Sequence, residues 1–448
     1  MKKGLIIIAA ALFVAAMVLP AMAVDMSLSG FYRVRGFYQS NADAGGIYPY
    51  DNVGSPDAWW DHHLQLNPVF KIADNLKLVT RVSAFNNQMW GSSRASGAVA
   101  GKDTLSAGTF DSTAENIIFN RAYIEWATPK GTLKIGRMAG QYLFFLPFGN
   151  TELDADRIVY VSPAYSGFNV VLGHEKRAEN TVTSGDNIAD QDHDRYFAVL
   201  SYACPGLYVG YAPDWYRNRQ ASEDVATGYT RDLFNHNFCL KLNDPTNTYF
   251  FEGELQLRRG TYADYYDPAT QDVDARGLGY YAAVGTKKGP LTVALATAFC
   301  SGDEGTDPGK YKVGTAFGLD FQPLYIATGP YSKVLTNQIG AHGAAMAADP
   351  TVVNTGAKAY VLCADYVVDP QLALHGALGM AYADKTTAGV DDEFGKEFNI
   401  GLKYQIMSNL AYELHMGYLW TGDFFKLGVA ATQVDNIYQI DHSLTLSF

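Results

Sequence analysis

Residues Asn436 to Phe448 read NIYQIDHSLTLSF, and their pattern decides the fold. Tyr438, Ile440, His442, Leu444, Leu446 and Phe448 take the even positions and are mostly apolar. Gln439, Asp441, Ser443, Thr445 and Ser447 take the odd ones and are polar. A period of two is a β-strand with one apolar face and one wet face. The sequence ends on that aromatic residue, with no polar tail after it. Such an edge invites aggregation in a soluble sheet, whereas pairing it with the first strand closes a barrel and removes the edge.

At the other end, Lys2 and Lys3 precede an apolar run from Leu5 to Leu19, and Ala21-Met22-Ala23 has the small residues of a cleavage site. This reads as a removable signal peptide over residues 1–23, leaving 24–448 as one domain. No later run is long enough for a membrane-spanning helix. The chain is 48% hydrophobic, yet that content is cut into alternating pieces. Its 30 Tyr and 24 Phe suit a membrane interface. The formal charge of −12 becomes −14 without the two lysines, which argues against nucleic acid as a partner. Cys204, Cys239, Cys300 and Cys363 lack metal-ligand spacing, and the assigned strands make no pair of them clear neighbours, so free thiols are expected. No cofactor and no metal site is expected.

Between the ends, very short and longer connections alternate. Asp25 to Gln39 and Asp57 to Ile72 are predicted strands joined by a longer loop, and Ala73-Asp74-Asn75 is a tight turn into the next strand. Short turns recur at Pro129-Lys130-Gly131, Cys204-Pro205-Gly206, Asp244-Pro245, Gly289-Pro290, Asp369-Pro370 and Ser408-Asn409. Short turns on one side and long polar loops on the other are the asymmetry of a membrane barrel, with both chain ends on the short-turn, periplasmic side. The count is about eighteen strands, or sixteen if the weak strand Asp156 to Val161 and its neighbour are discounted. The fold class is therefore all-β, a transmembrane antiparallel β-barrel.

Facing assignments support it. One face carries Tyr249, Phe251, Leu255 and Leu257 in one strand and Phe398, Ile400, Leu402 and Tyr404 in another. The opposite faces carry Glu252, Glu254, Gln256 and Arg258, then Glu397, Asn399 and Lys403. Apolar outside and polar inside inverts a soluble barrel or propeller and fits lipid around a wet lumen. The acidic excess would then sit in outer loops, among lipopolysaccharide and divalent cations.

A barrel this wide encloses a channel unless loops narrow it. The first candidate is the third external loop, Gly140 to Ala155, with aromatic Tyr142, Phe144, Phe145 and Phe148. Folded inward, it would turn Glu152, Asp154 and Asp156 toward the pore. Folded outward, its rings would form an interfacial collar. Alternation places Arg33, Arg35, Lys71, Lys77, Arg81, Arg121 and Lys134 on inner faces, joined by Arg137 if Gly136 kinks its strand. Such a basic wall against an acidic loop screens solutes by charge, unless the cations simply pair with Glu125, Glu252 and Glu254. The long loop Ser301 to Gly356 is the second candidate. Small inner residues Ala294, Ala296, Ala298, Ala373, Ala377, Gly379 and Ala381 leave room for it, and Leu324, Tyr325 and Ile326 are its apolar part. A mobile surface loop is the plain alternative.

The segments Lys134-Ile135-Gly136-Arg137-Met138 and Asp154 to Pro163 resemble the Gly-Arg and Asp-Arg motifs flanking the corresponding loop in bacterial outer-membrane porins. They are similar in particular to the alginate-export and related eighteen-stranded channel group. Ser301-Gly302-Asp303 and Phe321-Gln322-Pro323-Leu324-Tyr325 echo a second segment of that group. The resemblance implies that Arg137 and Arg157 line the pore or anchor the loop, and that the terminal Phe448 is read by the barrel-assembly machinery. The dense arginine and lysine conduit of an alginate channel is only partly present, so that substrate is not carried over.

The expected function is passive diffusion of small hydrophilic solutes or ions across a bacterial outer membrane. A sleeve or adhesin holding a protein partner and a substrate-specific export channel are the alternatives. A barrel-embedded enzyme would need a nucleophile beside His62 or His442, and no Gly-x-Ser-x-Gly motif accompanies them. Monomer and homotrimer both stay open.

Overall fold

The computed structural model describes residues 24–40, 57–90, 117–140, 154–179, 192–219, 228–314, 321, 323–328, 354–426, 428–429 and 434–448. The chain runs through β1 (Asp25–Ser40), β2 (Asp57–Ala73), β3 (Leu76–Met89), β4 (Ile117–Thr128), β5 (Gly131–Ala139) and β6 (Asp154–Val161). Next come β7 (Phe168–Ala178), β8 (His193–Cys204), β9 (Leu207–Asn218), β10 (Tyr229–Asn243) and β11 (Tyr249–Tyr265). The remainder is β12 (Val273–Ala275), β13 (Leu278–Lys288), β14 (Leu291–Cys300), β15 (Lys310–Tyr311), β16 (Ala357–Val367), β17 (Leu372–Tyr382), β18 (Glu393–Met407), β19 (Leu410–Thr421) and β20 (Ile437–Ser447).

Eighteen of these strands form one antiparallel wall, each paired with its neighbours in sequence. The two short ones, β12 and β15, pair parallel to each other outside it, with β12 flanking the upper part of β11. Closure is made by β1 and β20, in register from Phe31↔Ser447 to Ser40↔Tyr438. Gly30 and Phe448 extend the seam with a pair of backbone hydrogen bonds of 2.8 and 3.0 Å. The terminal strand thus has no free edge, as its alternation requires. Asp154–Val161 is a full member of the wall, so the strand number is eighteen rather than sixteen.

The two faces separate by parity. Leu378, Phe398, Ile400 and Trp420 are each about half exposed on the outside, at 54%, 47%, 49% and 47%. An apolar belt of this extent is not tolerated against water and is the surface a barrel offers to lipid. Glu397 and Asn399 alternate with them and are fully buried on the inside. The inner face is not polar throughout, because Met138, Val159, Val171, Phe197 and Val199 form a buried apolar cluster on β5 to β8. All four cysteines are free.

Candidate functional site

Inside the wall, β14, β16 and β17 present Ala298, Ala359, Ala377 and Ala381, and the segment 323–328 lies on this shallow surface. Leu324 and Ile326 are wholly buried there. Burying one such side chain stabilises by about 1.5–3 kcal/mol. The smallness is required: a Cβ on Gly379 would stand 2.9 Å from Leu324 Cδ1. Glu397 supplies the polar anchor. Its two carboxyl oxygens accept the N–H groups of Ile326 and Ala327 at 3.0 and 2.7 Å. Asn399 Nδ2 donates to the Pro323 carbonyl at 3.1 Å, and Thr328 Oγ1 closes the turn against Leu324. Of the two narrowing loops read from the sequence, this is the one with described residues inside the lumen.

The aromatic residues Tyr142, Phe144, Phe145 and Phe148 of the third external loop, with Glu152, lie outside the described residues. Asp154 opens β6 and accepts from Arg121 Nε at 2.6 Å. Asp156 does not face the pore. It shares the outward face of Ile158, whereas Arg157 and Val159 are the buried inner residues of that strand. Arg137 is outward as well. The pairs Ile135↔Ile158, Gly136↔Arg157 and Arg137↔Asp156 run without a register shift, so the positive φ of Gly136 (127°) does not switch faces. Arg137 and Asp156 meet each other at 3.6 Å on the outside.

They begin an outer row. Arg137, Asp156, Lys176, Asp194, Arg217 and Asp232 are successive register partners from β5 to β10, with alternating charge. One step toward the short turns, the outward row is Ile135, Ile158, His174, Tyr196, Trp215 and Phe234. Tyr196 stacks on Trp215 at 5.4 Å, and Trp215 on Phe234 at 5.7 Å. A charged row directly above an aromatic one is the boundary between headgroups and hydrocarbon.

The remaining basic-wall residues sit in four places. Arg35 is buried in a bidentate pair with Asp61, at 2.8 and 2.6 Å, which neutralises it locally. Arg33 is held instead by the neutral amide of Asn87 at 3.0 Å, and Arg81 Nε by that of Asn67 at 3.1 Å. Lys77 and Lys134 share Glu125 at 3.5 and 3.4 Å. Lys71 leans to the turn and pairs with Asp74 at 2.8 Å, so its charge belongs to the short-turn mouth. Glu252 pairs with Lys241, and Glu254 is buried.

A buried ladder on β6 to β10 has no counterpart in the sequence reading apart from Arg157. Arg157 donates to Glu175 at 2.8 Å and to the Met138 carbonyl at 2.6 Å. Arg195 bridges Glu175 and Asp214, and Asn235 donates to Asp214. The signal was inner-face charges of alternating sign on consecutive strands, but their partnership depends on register.

Among the described residues, the rim acids Asp303, Glu304 and Asp307 are each engaged. Asp303 accepts the N–H groups of Gly305 and Lys312, and Glu304 pairs with Lys385 at 3.0 Å, which raises the lysine pKa. The Lys310 ammonium beside Asp307 holds its carboxyl below the usual carboxylate range. No group of three metal-ligating side chains occurs among the described residues. His62 stacks on Phe85 at 4.6 Å and His442 packs edge-on against Trp60 at 4.8 Å, both in outward aromatic clusters.

No protein-family model matches the chain, and no curated protein matches it in sequence. Solved structures do match in fold. A BenF-like porin from Pseudomonas fluorescens Pf-5 aligns with a TM-score of 0.54 at 13% identity, over 95% of this chain and 99% of that one. The outer membrane protein opdK from Pseudomonas aeruginosa gives 0.53 at 13%, over 94% and 98%. OccAB4 from Acinetobacter baumannii gives 0.52 at 11%, over 95% and 99%. At these identities the likeness is one of architecture: the barrel matches nearly end to end.

Proposed function

We propose that the mature chain, freed of residues 1–23, is a bacterial outer-membrane porin through which small hydrophilic solutes or ions diffuse passively. The observation that carries this is the closed eighteen-stranded wall with lipid-type residues outside, narrowed inside by the segment 323–328 seated on Glu397. Solved porins of the same architecture support it. The third external loop is a second narrowing element in this reading. Arg33 and Arg81 of the basic wall act on passing anions across the lumen. Lipopolysaccharide meets the outer charged row, and the strand ending in Phe448 is the handle for barrel assembly. The small-residue wall that a protein-holding sleeve would use is already covered by the chain's own segment, which favours the pore.

Planar-bilayer recording tests this. The purified protein should give stable ohmic steps, and Arg33→Gln with Arg81→Gln should move the reversal potential in a salt gradient toward cation preference. A silent bilayer would contradict the pore. Unchanged selectivity in the double variant would remove the role given to the basic wall.

A further inference from the structure

On the inner wall below the narrowing segment, one register row runs Asp365, His375, Gly401, His415, Asp441 across β16 to β20. It is symmetric about Gly401. Each histidine is bound by its neighbouring aspartate: His375 Nδ1 to Asp365 Oδ1 at 2.7 Å, and His415 Nδ1 to Asp441 Oδ1 at 2.9 Å. Tyr325 descends onto the centre. Its hydroxyl lies where a residue-401 side chain would be, 2.6 Å from an ideal Cβ. Its ring stands 4.6 Å from the ring of His415 and 6.0 Å from that of His375.

The chemistry follows from the pairing. A carboxylate that accepts the Nδ1 proton fixes the imidazole tautomer and turns the Nε2 lone pair outward as an acceptor. Both imidazoles neighbour the Tyr325 ring, and both are partly exposed on the inner wall, at 28% and 29%. The groups around the row leave a carboxylate excess. Glu397 on β18 and Glu413 on β19 add to Asp365 and Asp441, Lys403 pairs with Glu413 at 2.8 Å, and Arg35 on β1 is spoken for by Asp61. Arg33 on β1 is the other cation near it, bound by Asn87. Tyr325 is the remaining titratable group in contact with the two rings.

We propose that this row is a subsite for a small organic cation, a protonated amine. Its N–H groups would donate to the two Nε2 atoms while its charge rests on the Tyr325 ring. The subsite deepens the porin reading and rests on it. It requires neutral imidazoles, because an imidazolium has no acceptor left and repels the ligand.

The test is the reversal potential of the protein in a bilayer at about pH 8, with methylammonium chloride on one side and potassium chloride on the other. The wild type should favour methylammonium over potassium. His375→Asn with His415→Asn keeps a donor toward each aspartate but lacks the Nε2 acceptors, so that preference should be lost. Steps that favour methylammonium no more than potassium in the wild type, or favour it equally in the double variant, would overturn the subsite alone. An absence of steps in the wild type would overturn the pore and the subsite with it. If the double variant does not insert, Asp365→Asn with Asp441→Asn provides the second reading: the preference for methylammonium should be lost, and its retention would contradict the proposal.

Discussion

Glu397 shows how much of the lumen one side chain can shape. It is fully buried, and both its oxygens hold backbone N–H groups of the narrowing segment. Glu397→Ala leaves two N–H donors without partners, at roughly 1–3 kcal/mol each. The segment should then leave the wall part of the time, and single-channel traces should show larger and noisier conductance than the wild type. Identical traces would mean that the carboxyl does not hold the constriction. Parity alone was enough to place Glu397, Arg33, Arg35 and Glu254 on the inner side from sequence. It could not name their partners, because Ile326 and Ala327 reach Glu397 from about seventy residues away. Arg137 and Asp156 were misplaced for a different reason. Gly136 looked like a kink, but its backbone takes a positive φ while the ladder stays in register on both sides.

Among the elements, the short turns were the most legible because their chemistry is local. Asp244 illustrates it: its carboxyl accepts the N–H groups of Thr246 at 3.0 Å and Tyr249 at 2.6 Å, as well as the Thr246 hydroxyl. Those bonds, the Thr246 side chain first, hold its pKa below the ordinary carboxylate value. A depressed folded pKa gives stability that is present above the unfolded value and lost as pH falls through the folded one. Asp244→Ala should therefore lower the urea midpoint in micelles at neutral pH, with the gap to wild type closing in strong acid. A gap that does not change with pH would contradict this. Strand ends are harder to read: β11 runs through Gly260 to Tyr265, and its pairing with β10 shifts register between Thr230 and Asp232. The charge ladders on β6 to β10 are legible only once those offsets are known, since each rung depends on the sum of the turns before it.

At the scale of the whole molecule, the alternation of Asn436 to Phe448 implied a closed wall, and the seam between β1 and β20 provides it. What remains decisive is which side of that wall meets hydrocarbon. A single nitroxide scan along β18 in lipid measures this. Labels at Phe398, Ile400, Leu402 and Tyr404 should be relaxed by dissolved oxygen and shielded from a water-soluble nickel chelate. Labels at Lys403 and Gln405 should show the reverse, giving a period of two. Uniform access of the chelate to both sets would put water on the apolar face, and neither a lipid-embedded wall nor a conducting lumen would survive that result.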